Sequence, residues 1–486
     1  MICVVILQCL RSTLVLAVFS SAIGGSFQYG YNVSIINAPT MHIQEFINKT
    51  WDVRHGSQLN QNLLTLLWSI IVSILTLGGF LGTWAGGPLA IRYGRKGALL
   101  INNVFALTGA ALMGASYSAG MFELLIVGRF LVGLNLGIGI CVQPLYLAEI
   151  SPKRLRGAIS MGTSVFLTVG ILSGQVIGLR ELLGKEEDWP VLLSTTCIPA
   201  ILQLLLLPWF PESPRYLLID RQQEEACDRA LKMLHDPSDY LSEKEDMEKE
   251  QAETQGEKPR QAREVLADRS IRWQLITSIV LNMGQQLSGI NAIYFYATYV
   301  FKQAGIAQEY IPYAALGSGA CECLTALSCG LLIEYLGRRV LILGGYLLMA
   351  MWCIVITITL SVQTTYFWIP YLSMACVSAF ILSFGLGPGG VTNILTAELF
   401  TQSTRPAASM ISGSMGWLSF FFIGIIFPFI VERLQQFCFL VFLVECLLMV
   451  CYIFYIIPET KNKSFLEIKK DFQTRNFKEA SGIGKA

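Results

Sequence analysis

Gly94-Arg95-Lys96 recurs half a chain length later as Gly337-Arg338-Arg339, and this repeat is the strongest indication of the fold. Two other charged joints repeat at a similar separation. Glu149 and Arg156 correspond to Glu398 and Arg405. Pro211-Glu212-Ser213-Pro214-Arg215 corresponds to Pro458-Glu459-Thr460-Lys461. Long apolar segments separate these joints. An internal repeat of this kind, built from apolar segments and charged joints, is typical of membrane transporters with parallel repeats.

The composition is that of a membrane protein. Of the 486 residues, 53% are hydrophobic and only 14% are charged, which is too apolar for a water-soluble globule of this size. A helix needs about 20 apolar residues to cross the hydrocarbon core of a bilayer. Twelve segments meet that need: 13–36, 63–89, 98–119, 123–147, 157–179, 190–210, 273–302, 311–333, 340–361, 367–396, 407–431 and 437–457. We therefore predict an all-α membrane protein with twelve transmembrane helices in two six-helix halves.

The positions of lysine and arginine predict the orientation of the chain. Positive charge concentrates in the cytoplasmic loops of membrane proteins, and here it concentrates in the joints after segments 2, 4, 8 and 10. Both termini are then cytoplasmic, in a multi-pass protein that we expect in the plasma membrane. The predicted organisation is an N-terminal half, a cytoplasmic helical linker, a C-terminal half and a cytoplasmic tail, at 1–210, 211–272, 273–460 and 461–486.

The loops carry three further signals. In the linker, charges of both signs at helical spacing indicate short solvated helices, and a disordered tether is the alternative. The outer loop contains Asn48-Lys49-Thr50, which predicts N-glycosylation at Asn48. A net charge of +1 argues against a nucleic-acid partner, which would require a clustered basic face.

The charged joints have two interpretations. Arginine at a bilayer edge can pair with carboxylates and with the carbonyl groups that end a helix. Such pairs would form a cytoplasmic gate that closes when the cavity opens outward and breaks when it opens inward. The alternative is a static topology signal; the duplication of the acidic residues favours the gate. The predicted gate residues are Arg95, Glu149, Arg156, Glu212, Arg215, Arg338, Glu398, Arg405 and Glu459.

Polar residues inside segment 7 predict a ligand site. Gln285, Gln286 and Asn291 would lie in hydrocarbon, where amides are costly unless they have partners, so they should face the bundle interior or a wet cavity. Amides present donors and acceptors together, which suits a polyhydroxylated ligand rather than a metal ion or an anion. The alternative is that they join helices, which contributes about 1 kcal/mol per contact.

Segments 1, 10 and 11 add candidate binding residues. Segment 1 contains Gln28 and Tyr29, and segment 10 contains the breaker run 385–390 before Asn393. Broken helices commonly flank sites at the membrane midplane. Trp417 in segment 11 offers an aromatic face against which a sugar ring could stack, although a core tryptophan is the alternative.

Glu322 is the least expected residue of the chain. It falls near the middle of segment 8, where an ionised carboxylate is costly, so we expect it to be held neutral. A neutral carboxyl group donates and accepts hydrogen bonds. It could therefore contact a sugar hydroxyl, bond to a neighbouring helix or carry a proton.

These motifs together resemble the sugar porters of the major facilitator superfamily, and more closely an animal facilitative hexose transporter. The resemblance rests on the repeated joints, on 285–291 and on Pro458-Glu459-Thr460-Lys461; the run 27–32 resembles the fructose-transporter branch. It implies the major facilitator fold and a sugar site at Tyr29, Gln285, Gln286, Asn291 and Trp417.

The sequence departs from the glucose-preferring pattern at several of these positions. Ser164 stands where the family carries a sugar-binding glutamine, and Asn393 where it carries a tryptophan. Glu322 replaces an asparagine of segment 8, and Gly416 replaces the asparagine before Trp417. We therefore expect fructose, glucose or both as substrate.

The leading hypothesis is hexose uniport, with a proton-coupled symporter, a non-transporting sugar sensor and a membrane enzyme as alternatives. Proton-coupled relatives carry an aspartate where this chain has Asn32, and a sensor would be expected to have a longer tail. An enzyme is not expected, because the three histidines His42, His55 and His235 all fall in loops. We expect no cofactor, no metal ion and no obligate protein partner besides the hexose and the lipid bilayer.

Overall fold

The computed structural model describes residues 12–57, 59–152, 156–254, 261–363, 365–400 and 404–461, with residues 468, 470 and 472. Within these ranges the regular structure is helical, and none of the described residues forms a strand. This secondary structure is that of an α-helical membrane protein, because a helix satisfies its own backbone hydrogen bonds and needs no water to do so.

The N-terminal half and the linker as far as Thr254 contain eleven α-helices in the described part of the chain. They are α1 (Ser12–Ala22), α2 (Gln28–Ser34), α3 (Thr40–His55), α4 (Gln61–Tyr93), α5 (Arg95–Ser118), α6 (Glu123–Ile150), α7 (Arg156–Ile177), α8 (Trp189–Ser194), α9 (Cys197–Leu206), α10 (Glu224–Leu234) and α11 (Pro237–Thr254). A π-helical turn, Ile23–Phe27, joins α1 to α2, and a second one, Tyr216–Asp220, precedes α10. The linker sequence is thus helical over most of its described length.

The C-terminal half follows after a short linker helix, α12 (Ala262–Ala267). The next α-helices are α13 (Arg272–Leu287), α14 (Ile290–Phe295), α15 (Ala297–Gln303), α16 (Ile311–Leu336), α17 (Arg338–Ser361), α18 (Ile369–Phe384), α19 (Gly390–Glu398), α20 (Arg405–Leu434) and α21 (Cys438–Ile456). A π-helical turn, Gly385–Gly389, joins α18 to α19 and contains Pro388.

The helices follow the predicted segments closely, and the prediction of a twelve-span membrane fold is confirmed. By length and apolar composition, seven of the described helical stretches could each cross a membrane, and the last of them, Arg405–Ile456, contains both α20 and α21. The remaining predicted segments are interrupted or partly undescribed. Segment 7 is one of these and is divided at Gly289, whose φ of 98° lies in the left-handed region. Segment 10 is among the seven stretches, and a π turn interrupts its α-helix at the predicted breaker run.

Two compact units divide the chain. The first comprises Met1–Ile35, Leu77–Gly174 and Glu186–Lys258. Its buried core joins side chains of α1, α5 and α6, such as Leu14, Leu99 and Tyr146, to Leu234 at the end of the linker helix α10. A smaller cluster holds α10 and α11 together through Leu218, Leu231 and Met247, with Cys227. The linker helices α10 and α11 therefore pack as part of the first unit.

The second unit comprises Ile36–Thr76, Gln175–Lys185 and Pro259–Ala486. It contains α3 and the beginning of α4 besides the C-terminal helices. Thr65 on α4 donates a hydrogen bond of 2.9 Å to Glu432 on α20, and the Asn37 amide donates to the backbone carbonyl of Tyr294 on α14. Another buried core joins α12, α13 and α20 through Val265, Leu275 and Ala408.

Candidate functional site

The break in segment 7 brings the predicted amides together. Gly289 separates α13 from α14, which leaves Gln286 at the end of one helix and Asn291 at the start of the next. The Asn291 Nδ2 atom lies 2.5 Å from Gln286 Oε1 and 3.3 Å from its backbone oxygen. Gln285 and Gln286 are half-buried, whereas Asn291 is buried. The pair therefore presents amide groups at a helix break.

Trp417 on α20 flanks this break. It is buried and lies nearly parallel to Phe420, with ring centroids 6.3 Å apart. Gly416, the preceding residue, faces α13, because a Cβ atom there would lie 3.7 Å from both Asn282 Cβ and Gln286 Cγ. The absence of a side chain at Gly416 leaves space beside the Gln286 amide. This arrangement puts an aromatic surface next to hydrogen-bonding groups.

Glu322 on α16 is a further candidate of the second unit. It is 6% exposed. Among the described residues, its Oε2 atom has no hydrogen-bond partner. Because a buried polar atom without a partner is costly, this oxygen is suited to accept from, or donate to, a ligand hydroxyl. Asn393 on α19 is exposed in the second unit.

The first unit places its candidates on α2 and α7. Gln28 is fully buried and its amide donates 2.9 Å to the backbone oxygen of Thr196, while its Oε1 atom has no partner among the described residues. Tyr29 is half-buried and Ser164 is exposed. Gln28 is therefore oriented into its own unit, and Tyr29 and Ser164 are the accessible candidates.

The first charge cluster consists of Arg95, Glu149, Glu212 and Ser213. Arg95 Nε lies 2.9 Å from Glu149 Oε2, and Ser213 donates to the same carboxylate. Glu212 accepts from the backbone N–H of Lys96 at 2.9 Å. Other neighbours are Asp220, whose carboxylate lies 2.7 Å from Arg95, and Arg215, which acts electrostatically on Glu149.

The second charge cluster repeats this geometry with Arg338, Glu398, Glu459 and Thr460. Arg338 Nη2 lies 3.1 Å from Glu398 Oε1, and Thr460 donates 2.6 Å to Glu398 Oε2. Glu459 accepts from the backbone N–H of Arg338 at 3.0 Å. In addition, Arg405 donates 3.2 Å to the backbone oxygen of Phe400, whereas the side chain of Arg156 lies outside the described part of the structure.

The glycine of each joint explains why the two clusters match. Gly94 has φ 84° and ψ 169°, and Gly337 has φ 88° and ψ 165°. Both pairs of φ and ψ angles fall in a region that glycine adopts readily and residues with a side chain avoid. A Cβ atom would lie 2.3 Å from Glu212 Oε2 in the first case and 2.9 Å from Glu459 Oε2 in the second. The joint thus requires glycine so that a carboxylate can reach the start of the following helix.

Backbone donors set the ionisation of Glu459. Burial alone would raise the pKa of this carboxyl group, but backbone N–H groups around it, from Lys461 and Arg338 among others, lower the pKa below its ordinary value. Glu459 is therefore a carboxylate at neutral pH. It caps the start of α17, where the positive end of the helix dipole favours negative charge.

Sequence reasoning missed a buried cation in the first unit. Arg129 on α6 is 1% exposed and donates 2.9 Å to the backbone oxygen of Asn32. The Asn32 amide accepts from Thr196 and donates to the backbone of Gln28, both at 2.9 Å. A lone arginine in the middle of an apolar segment was the signal, because intramembrane charges are rare and functional.

The chain belongs to a family of transporters of the major facilitator fold. The sequence model described as Sugar (and other) transporter matches residues 17–472. The fold agrees with the partially occluded inward open xylose transporter XylE from E. coli, with a TM-score of 0.78, 19% identity and coverage of 93% of this chain and 100% of that one. The protein is thus a member of the sugar transporter family, and it is not an enzyme.

Three curated relatives show how similar the members are. The chain is 48% identical to human solute carrier family 2, facilitated glucose transporter member 11, over 464 residues, which cover 96% of this chain and 94% of that protein. It is 46% identical to human member 5 over 468 residues, with coverage of 96% and 93%. It is also 46% identical to mouse member 9 over 464 residues, with coverage of 96% and 86%.

Proposed function

We propose that this chain is a facilitative transporter that moves a hexose, fructose or glucose, down its concentration gradient by alternating access. The relatives named above are called facilitated glucose transporters and match nearly the whole chain. The observation that carries the proposal is the Gln286–Asn291 amide pair beside Gly416 and Trp417. A few placed polar groups against an aromatic wall are typical of small-molecule sites.

The proposed substrate contacts are the residues that the sequence predicts. Gln285, Gln286 and Asn291 would bond the sugar hydroxyls, and Trp417 would stack on the ring. Glu322 would use its unpartnered oxygen on a further hydroxyl. Tyr29, Ser164 and Asn393 would contact the sugar directly, whereas Gln28 would support Tyr29 through its bond to Thr196.

Uniport is supported by the neutral residue at position 32. The position that carries an aspartate in the proton-coupled pattern holds Asn32 here, and Thr196 and Gln28 engage both ends of its amide. Arg129 is held by the backbone carbonyl of the same residue. An amide cannot take up a proton near neutral pH, so the site lacks the usual proton carrier. Proton symport is the second candidate function, and the observation that favours it is the buried carboxyl group of Glu322.

The charge clusters would form the cytoplasmic gate. Each unit contains one charge cluster, in which an arginine, a carboxylate and a hydroxyl connect the ends of helices of that unit. These bonds would be intact in the outward-open state. The orientation that follows has both termini in the cytoplasm of a plasma-membrane protein. Asn48, half-buried on α3, would then face outward and carry a glycan. Enzymatic deglycosylation should lower the mass of the protein, and the Asn48→Gln variant should have that lower mass without treatment.

Uptake by purified protein in liposomes tests the proposed function. Radiolabelled D-fructose and D-glucose should enter in a saturable manner, and the excess unlabelled sugar should compete. L-glucose is the matched control, because it has the same composition and the wrong stereochemistry. Equal entry of D- and L-glucose, or no entry above protein-free liposomes, would rule the proposal out.

A further inference from the structure

A π-helical turn interrupts the first membrane segment just before its candidate substrate residues. Ile23–Phe27 forms this turn between α1 and α2. A π turn accommodates one extra residue, and it leaves backbone donors and acceptors without their usual helical partners. In hydrocarbon these groups need other partners, since an unsatisfied group costs several kcal/mol. The turn can therefore persist only if neighbouring helices satisfy it.

Gln143 on α6 satisfies the donor side of the turn. Its Oε1 atom accepts from the backbone N–H of Ser26 at 2.8 Å, and its Nε2 atom donates 3.1 Å to the Ser26 hydroxyl. The amide is fully buried. It reaches the backbone because Gly25 has no side chain; a Cβ atom there would lie 2.3 Å from Gln143 Oε1.

Gln203 on α9 satisfies the acceptor side. Its Nε2 atom lies 3.0 Å from the backbone oxygen of Ser21 and 3.3 Å from that of Ser20. Asn103 on α5 donates 2.8 Å to Gln203 Oε1 and so fixes the amide. Gly24 provides the space here, because a Cβ atom would lie 2.3 Å from that oxygen. Side chains from two helices thus meet the turn on both sides, and a third helix holds one of them in place.

The turn determines the rotation of α2. Each residue advances an α-helix by about 100°, so one extra residue turns everything after it by that amount. In the observed rotation Gln28 bonds to Thr196 and Tyr31 Oη lies 2.5 Å from Thr195 Oγ1. Tyr29 is left on another side of the helix and half-buried. Loss of the turn would rotate these side chains by about 100° and so give each of them different neighbours.

We propose that Gln143 and Gln203 are positioning residues, which hold the π turn and thereby determine how Tyr29 is presented to the hexose. This inference rests on the proposed function for its substrate. Neither amide touches the sugar in this account. Both act through the backbone of the first membrane segment. They therefore affect the discrimination between hexoses, and not the number of contacts between the protein and the sugar.

Cysteine labelling tests the position of Tyr29 without any transport measurement. A Tyr29→Cys chain without other reactive cysteines should react with a water-soluble thiol reagent. Adding Gln143→Met, which keeps the length of the side chain and removes both hydrogen bonds, should slow that reaction by about fivefold or more, the effect of a free-energy change of about 1 kcal/mol. If Gln143→Met does not fold, Gln203→Met provides the same test from the acceptor side.

Two control variants distinguish positioning from general damage. Ser26→Ala removes the hydroxyl but keeps the backbone N–H that Gln143 accepts, so labelling should stay as in the parent. Asn135→Leu deletes another buried amide of α6, whose bond of 3.0 Å goes to the backbone of Asn102 and not to the turn. It should lower the yield at most.

Transport provides the second measurement. In Gln143→Met the ratio of the KM values for D-fructose and D-glucose should change by about fivefold or more, whereas Asn135→Leu should change only the maximal rate. Gln143→Glu, which retains a carbonyl acceptor, should restore part of the parent ratio. Unchanged labelling and an unchanged KM ratio in folded Gln143→Met protein would overturn the inference. Absence of transport by the parent chain would overturn the proposed function instead, while the labelling result still decides the positioning role.

Discussion

At the scale of single residues, the broken helix between α13 and α14 provides the chemistry. Gln286 and Asn291 are bonded to each other in the structure, so the Asn291 Nδ2 donor and the Gln286 Oε1 acceptor already have partners before a sugar arrives. A hexose hydroxyl can replace that bond with little net loss, because it donates and accepts. Amide pairs of this kind are therefore suited to bind and release a neutral polyol repeatedly.

The first prediction concerns Gln286. Changing Gln286→Leu should weaken hexose binding by roughly 1–3 kcal/mol, because a sugar hydroxyl loses its partner in a buried site. Binding to purified protein, measured by calorimetry, checks this. Asn282→Leu is the control: its amide lies one turn earlier and bonds 2.9 Å to the backbone of Ser278. Unchanged affinity in correctly inserted Gln286→Leu protein would remove Gln286 from the site.

The second prediction concerns Glu322. Glu322→Gln keeps the shape and the hydrogen-bonding capacity but cannot ionise. If the carboxyl group contacts the sugar in its neutral form, the variant should retain downhill uptake and lose any fall of uptake at high pH, since ionising a buried carboxyl group is costly. Uptake measured from pH 5.5 to 8.5 checks this. A pH profile identical to the parent, with normal rates, would assign the pH dependence to another group.

At the scale of elements, the repeated joints explain how each half keeps its shape. The same order of glycine, arginine and carboxylate joins the start of α5 to the end of α6 in the first unit, and the start of α17 to the end of α19 in the second. Glu149 is nearly buried and bonded on both oxygens. Breaking such a pair leaves an uncompensated charge and is more damaging than breaking an exposed pair.

The third prediction concerns the gate. Glu149→Gln and Glu398→Gln should shift the population toward the inward-open state, and an inhibitor that binds only the outward-open state should lose affinity in proportion to the remaining fraction. Inhibitor titration of uptake measures this. Asp220→Asn is the matched control, because Asp220 also pairs with Arg95 but is 41% exposed, so its effect should be small. Normal inhibitor affinity in both glutamate variants would leave these residues as topology signals.

The fourth prediction concerns the pH dependence of stability at Glu459. The folded-state pKa of this group lies below its ordinary value of 4.5. Its contribution to stability is therefore complete above pH 4.5 and is lost as the pH falls through the lower folded-state value. Glu459→Gln should lower the melting temperature in detergent at pH 7 and make it less sensitive to acid than the parent. Glu225→Gln, an exposed acid on α10, is the control, and equal acid sensitivity in all three proteins would contradict the assignment.

Local patterns predicted the elements well and the contacts between them less well. The twelve apolar segments follow from composition, and the interruption at 385–390 follows from glycine and proline residues that weaken a helix. The break at Gly289 was not predicted. The π turn at Ile23–Phe27 does not follow from local patterns either, since it exists only because Gln143 and Gln203, far along the sequence, complete its hydrogen bonds. The inward orientation of Gln28 has the same origin, because Thr196 receives it.

At the scale of the whole molecule, the question is how the chain couples substrate movement to energy. The fold is shared by uniporters and by proton-coupled carriers, so fold alone does not determine the mechanism. What distinguishes them here is the neutral amide of Asn32 beside Arg129, together with the buried acid Glu322 on α16. A uniporter requires only that the loaded and the empty carrier can both change between outward-open and inward-open states.

The most direct measurement is the final level of hexose inside proteoliposomes when an inward proton gradient is imposed. If the protein is a uniporter, D-fructose and D-glucose should stop at the external concentration with or without the gradient, and the gradient should change at most the rate. Accumulation above the external concentration that disappears when a protonophore collapses the gradient would contradict uniport. The same accumulation, lost in Glu322→Gln, would identify Glu322 as the proton carrier.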